Sequence, residues 1–385
     1  MRQALFIALG LAAAGATAIA QVPPNIETEL VRIGQIVDPA CTANLYRPLM
    51  PANDFNTYWP LDAPSPRSLA PLYPGVTIVR DRSFGPNTRD VIDIFTGEKG
   101  GDKRPVVMYV PGGAGNKIEQ QIRESNAFYD NIGRWATKNG FVGVTVQRHP
   151  GSGNWDDTGR DISLAVDWVH DNIAMYKGDP NRIVIWAHSA GNGPLGMYVG
   201  HPERWKNGVQ VRGAIFMSGN PVPAVGGGPG GGAGRLGQGG PLPGAACGLT
   251  GASMTSSEGR IAGPSGVAPA VAVPVGGRGR GGAGGFGRGQ ALTPEQRAER
   301  DNLAGFKKAT AKIVIAYAEL DPGITNAQMP ANVVALHDEL CKAGKAHCPE
   351  MWMLKGESHV SEVFSIDTPD HTVSGKVLEF VKKAK

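Results

Sequence analysis

A serine hydroxyl is a poor nucleophile until a base removes its proton, so a chain that uses one must supply four groups. These are a presented serine, a histidine, a carboxylate that orients the histidine, and amide donors for a developing oxyanion. Ser189 lies in "RIVIWAHSAGNGPLG", residues 182–196, where an apolar run breaks abruptly into small residues. The frame Ala187-His188-Ser189-Ala190-Gly191 differs by one methyl group from the G-x-S-x-G elbow, a sharp strand-to-helix turn that exposes its serine. Such a turn crowds the positions two before and two after the serine, which favours small residues there. A five-residue pattern matches loops by chance, so the remaining groups carry the test.

The amide donors are expected from "VVMYVPGGAG", an apolar run ending in Pro111-Gly112-Gly113-Ala114. Glycine lets the backbone turn its N–H groups inward, so Gly113, Ala114 and the amide of Ala190 form the expected oxyanion hole. The alternative is a plain glycine turn. The acid is expected from "AKIVIAYAELDPG", where Asp321 lies just past the run and Pro322-Gly323 forces a turn. An Asp in that place also initiates turns, and both roles are compatible. Glu319 competes, but it falls inside the strand pattern. The base is expected from "EMWMLKGESHVSEVF", with His359 in the loop after the last apolar strand. His371 is its rival, beside a helix start. His149 and His188 are read as structural or pocket-lining.

These groups need a scaffold that brings segment ends together. "VTIVRDRSF" and "RDVIDIFTG" alternate as a pair of strands. Short apolar runs then alternate with helical patterns. "ESNAFYDNIGRWATKNG" carries Phe128, Ile132 and Trp135 on one face and ends at Gly140. "DDTGRDISLAVDWVHDNIAMY" is amphipathic through Ile162, Ala165, Val169 and Ile173. The alternation predicts an α/β fold with a mostly parallel sheet, helices on both faces and an antiparallel edge. In open sheets of that kind, sites form at the carboxyl ends of the strands. Trp155, Trp186, Met217 and Phe364 are read as core residues that could also line a pocket.

The 385 residues divide unevenly. Residues 1–20, "MRQALFIALGLAAAGATAIA", join a basic start, an apolar run and an A-x-A site, as a cleaved export signal does. The mature chain is expected to begin near Gln21 and to be periplasmic or secreted, without stable membrane insertion. Residues 21–75 read as a lead-in with little periodicity, and 76–220 with 291–385 as the catalytic domain. Residues 221–290 are roughly a third glycine and read as a disordered insertion. Their five arginines against Glu258 account for the whole formal net charge of +4, so the rest is near neutral. "GGRGRGGAGGFGRG" resembles arginine-glycine segments that bind nucleic acid. With one aromatic and an export signal, no nucleic-acid partner is expected, and a lid over the site is the other reading.

Export permits disulfides among Cys41, Cys247, Cys341 and Cys348. Three pairings are possible, with a local Cys341–Cys348 bridge favoured over a metal site with His347.

Taken together, "PGGAG", "DPNRIVIWAHSAGN", "AELDPG" and "GESHVSEVF" resemble the α/β-hydrolase superfamily. The nearest branch is the carboxylesterases that are hormone-sensitive-lipase-like or feruloyl-esterase-like. The resemblance covers roughly residues 75–220 and 291–385. It implies a sheet of about eight strands, no cofactor or metal, and small-molecule ester hydrolysis through an acyl-enzyme on Ser189. His359 would be base and acid, and Asp321 its orienter. Pro111 stands where that family usually has histidine, and Ala187 where it has glycine, which bears on substrate range. A serine peptidase on the same scaffold, or a non-catalytic binding protein, are the alternatives. Acyl preference and oligomeric state are not legible.

Overall fold

The computed structural model describes residues 22–33, 39–46, 49, 73–112, 127–147, 155–222, 301–321 and 329–384. The export signal, almost all of the glycine-rich insertion, Gly113, Ala114 and His149 lie outside them.

One sheet of eight strands organises the described residues, in the order β1-β2-β4-β3-β5-β6-β7-β8. The strands are β1 Val76–Ser83, β2 Val91–Gly97, β3 Arg104–Val110, β4 Val142–Val146, β5 Gly178–His188, β6 Gly213–Met217, β7 Lys312–Ala318 and β8 Glu350–Leu354. β1 and β2 form the antiparallel edge, and β2 pairs antiparallel with β4. From β4 onward every pairing is parallel.

The parallel strands are buried on both faces, so their sequences run apolar rather than alternating with polar residues. Period-two geometry still sorts them. Val106, Met108, Val110, Ile183, Ile185 and Ala187 join one core, while Val107, Tyr109, Val184 and Trp186 join the other. The face holding Trp186 is covered by α1 Pro24–Ile33, α2 Pro39–Tyr46, α3 Ala127–Lys138, the short α8 Ser361–Phe364 and α9 Ser374–Lys383. The opposite face packs α4 Trp155–Asn172, α5 Asn192–Gly200, α6 Leu303–Phe306 and α7 Met329–Cys341. Every residue of α5 is buried, as befits a helix apolar on all sides.

The lead-in departs from expectation. Ile26, Leu30 and Ile33 recur at helical spacing on α1 and are buried, and Cys41 and Tyr46 of α2 are buried beside them. The segment is therefore partly helical and packs into the domain. Proline opens both helices, where its missing N–H costs nothing. Cys341 and Cys348 form the local disulfide, which removes the metal reading with His347 because the two sulfurs are bonded to each other. Cys41 is also disulfide-bonded. Trp186, Met217 and Phe364 are core residues, and the side chain of Trp155 lies outside the described residues.

Candidate active site

Ser189 follows β5 directly and opens a tight turn, Ser189–Gly191, that feeds α5. Its φ is +52°, a left-handed value that costs a non-glycine residue roughly 1–3 kcal/mol. Two contacts hold it there. Asn192 Nδ2 donates to the carbonyl of Ser189 and to that of Met217, both at 2.8 Å, fastening the turn to the end of β6.

Gly191 lies against the end of β3. A Cβ on it would stand 2.6 Å from the Val110 carbonyl oxygen and 2.8 Å from that of Pro111. The crowding that makes this position glycine thus comes from the neighbouring strand. Gly112 is constrained from the other side, since its Cβ would stand 2.8 Å from Ser189 Cβ and 3.1 Å from His188 Nδ1. Gly112, just after β3, therefore lies directly against the serine. Ala187 is fully buried in the α4–α5 core, where its extra methyl is ordinary packing.

His359 meets the serine. Its Nε2 is 2.9 Å from Ser189 Oγ, although the two residues are 170 positions apart. On the other side, His359 Nδ1 is 3.3 Å from Asp321 Oδ1, with both side chains almost fully buried. That is ion-pair distance but longer than an aligned charge-assisted hydrogen bond. Among the described residues neither Asp321 oxygen has an aligned hydrogen-bond donor. Such contacts are often long without substrate and tighten when it binds.

The structure brings together Ser189, Asp321, His359 and the Ala190 turn, at the carboxyl ends of β5, β7 and β8. Gly113 and Ala114 lie outside the described residues, two and three positions beyond the buried Pro111.

The rivals fall elsewhere. His371 pairs with Ser374 Oγ at 3.3 Å, at the start of α9. Glu319 is not inside the strand: β7 ends at Ala318, and Glu319 Oε2 accepts the Gly356 N–H at 2.8 Å. A turn after β7 competes with strand propensity there, because the Leu320 N–H pairs with the Glu357 carbonyl at 2.9 Å. Glu319 thus braces the loop that carries His359.

His188 is buried beside the pair, its ring centroid 4.8 Å from that of His359. Burial pushes its pKa down to about 4, so it is neutral at pH 7. Glu357 and Glu362 are fully buried, and burial holds both carboxyls well above the usual range. The charge of Asp370 adds to this for Glu357. Sequence reasoning singled out neither glutamate, nor Ser218 or Asn192. Their only local signal is polarity beside buried segments.

The BD-FAE family model, describing feruloyl-esterase-like α/β hydrolases, matches residues 92–207, which include Gly112 and Ser189 but neither Asp321 nor His359. Secreted triacylglycerol lipase LIP1 of Gibberella zeae is 32% identical over 148 residues, covering 33% of this chain and 24% of the lipase. Carboxylesterase 3B of Mus musculus is 34% identical over 104 residues, covering 24% of this chain and 16% of the mouse protein. The matched stretch spans about a quarter or less of each relative. Among solved structures, esterase Est22 aligns with 17% identity over 94% of this chain and 97% of its own, at a TM-score of 0.49. Carboxyl esterase 2 of Tuber melanosporum aligns with 14% identity over 81% and 88%, also at 0.49. The eight-stranded sheet in this order, with its serine at a strand end, is an α/β-hydrolase fold, and residues 92–207 are similar to the feruloyl-esterase-like carboxylesterase branch of that superfamily.

Proposed function

We propose that the protein is an exported serine carboxylesterase that cleaves small or aryl esters through an acyl-enzyme on Ser189. The observation that carries this reading is the 2.9 Å contact between Ser189 Oγ and His359 Nε2 at a left-handed turn. His359 takes the Oγ proton as Oγ adds to the ester carbonyl, and Asp321 stabilises the imidazolium that results. The amides of Gly113, Ala114 and Ala190 receive the oxyanion. His359 then returns the proton to the leaving alcohol, and water releases the acid by the reverse sequence. None of these steps requires a cofactor.

Export is supported by the leader-like first twenty residues and by similarity to proteins named as secreted lipases in Gibberella zeae and Botryotinia fuckeliana. Among the described residues no helix is long and apolar enough to cross a membrane.

Hydrolysis of p-nitrophenyl butyrate by the wild-type protein and by Ser189→Ala tests the reading. The variant is expected to lose at least about 10³-fold in kcat while keeping its Tm. A fluorophosphonate probe should label the wild-type protein at Ser189 alone. Equal hydrolysis by both proteins would remove the proposal. A panel of acyl and alcohol groups, aryl acids included, then defines the substrate.

A further inference from the structure

Behind His359 lies a run of buried polar groups that the triad leaves without a task. His188 Nε2 is 2.8 Å from the backbone carbonyl oxygen of His359 and 2.9 Å from Glu362 Oε1. A carbonyl can only accept, so Nε2 carries the hydrogen and the tautomer of His188 is fixed. Glu362 Oε2 is 2.9 Å from Ser218 Oγ, which in turn accepts the Ala318 N–H at 3.2 Å. His188 ends β5, Ser218 follows β6, Ala318 ends β7, and Glu362 lies on α8 after β8. Two hydrogen bonds, His188 to the His359 carbonyl and Ser218 to Glu362, brought together by the close His188–Glu362 contact, therefore cross the same strand ends that project Ser189, Asp321 and His359.

The arrangement is costly to build. The side chains of His188 and Glu362 are 6% and 0% exposed, and Ser218 is fully buried. A buried carboxyl group is destabilising unless its oxygens are satisfied, and apolar side chains of similar volume would fill the space at less cost. What the expensive version supplies is a fixed grip on one particular group, the main-chain carbonyl of the candidate base. Asp321 holds the Nδ1 edge of the same imidazole only through a 3.3 Å contact.

We propose that His188, Glu362 and Ser218 are positioning residues for His359, clamping its backbone so that Nε2 stays within reach of Ser189 Oγ. The inference rests on the triad reading. Displacement of a reacting group by about 1 Å costs on the order of 10²-fold in rate, so the clamp acts on kcat. It touches no substrate and leaves KM alone.

The test uses the full chain and two probes, p-nitrophenyl butyrate turnover and the rate of fluorophosphonate labelling. His188→Ala and Glu362→Leu are expected to lower kcat by roughly 10- to 100-fold with KM changed less than about twofold. Labelling should slow by the same factor. His188→Gln and Glu362→Gln restore a donor and an acceptor at nearly the same places, and are expected to recover most of the loss. Wild-type kcat in the truncated variants would overturn the clamp, as would Gln variants no better than the truncations. If the truncations do not fold, Ser218→Ala decides: a several-fold fall in kcat at constant KM supports the clamp, and an unchanged kcat overturns it. A wild-type protein that neither turns over nor labels at Ser189 would instead sink the esterase reading, so the two failures are distinct.

Discussion

Two places in this molecule bury charge, and they treat it in opposite ways. At the antiparallel edge, Arg80 on β1 sits between Asp93, at 3.1 Å, and Asp130, at 2.6 Å. Burial alone would lower the pKa of Arg80, but the two carboxylates outweigh it and raise it. Arg134 likewise pairs with Asp367 at 2.9 Å. At the carboxyl ends of β7 and β8, Asp321, Glu357, Glu362 and Asp370 are as deeply buried. Among the described residues they meet no Arg or Lys. Their partners are His359, the Ser361 hydroxyl, His188 with Ser218, and the Tyr46 hydroxyl.

A guanidinium neutralises a carboxylate permanently, whereas an imidazole or hydroxyl leaves its proton negotiable. Full compensation suits a fixed joint between the β1–β2 hairpin and α3. Incomplete compensation suits groups packed around a candidate base such as His359, whose proton must be free to move.

Substitutions can break this comparison, and the largest expected effect is at Asp321. Asp321→Asn should lower kcat for p-nitrophenyl butyrate by about 10⁴-fold with little change in Tm, because the oriented imidazole loses its anionic partner. A large stability loss with normal kcat would place Asp321 with the structural charges instead. Arg80→Ala should do the reverse. Removing one partner strands two buried carboxylates, at a cost of about 3–5 kcal/mol in urea unfolding, while kcat per folded molecule holds.

A smaller effect sharpens the contrast. Burial lowers the pKa of His188 from 6.5 to about 4, so between those values the unfolded chain binds a proton that the folded chain refuses. Stability from this source is complete above 6.5 and is lost as pH falls towards 4, by about 3 kcal/mol. Glu357 and Glu362 act with the opposite sign, since their raised pKa values favour the folded state at low pH and lose that advantage as pH rises above 4.5. Comparing the pH dependence of urea midpoints for His188→Gln and wild type isolates the histidine. The variant should lose less stability between pH 6.5 and 4.

The sheet was legible because buried parallel strands leave unbroken apolar runs, as in "RIVIWA" and "AKIVIAY". Ser189 was legible through its small neighbours, and Asp321 and His359 through their places just beyond such runs. The packing that supports them was not. Ser218 and Glu362 lie 144 positions apart and become partners only once β6 and α8 are side by side. Glu319 was misread because a turn fixed by Gly356 and Glu357 cannot be seen from the β7 segment alone. The two early helices were missed because each offers only a few buried positions amid proline and asparagine.

The hydroxyl of Tyr46 reaches Asp370 across 324 positions, and Asn131 Nδ2 reaches the Val363 carbonyl across 232. Contacts of that span form late, after most loop-closure entropy has been paid. A chain still being synthesised carries the serine 170 residues before it carries the histidine. The candidate pair is thus complete only when β8, the last strand to be made, has joined the sheet and brought the His359 loop to Ser189.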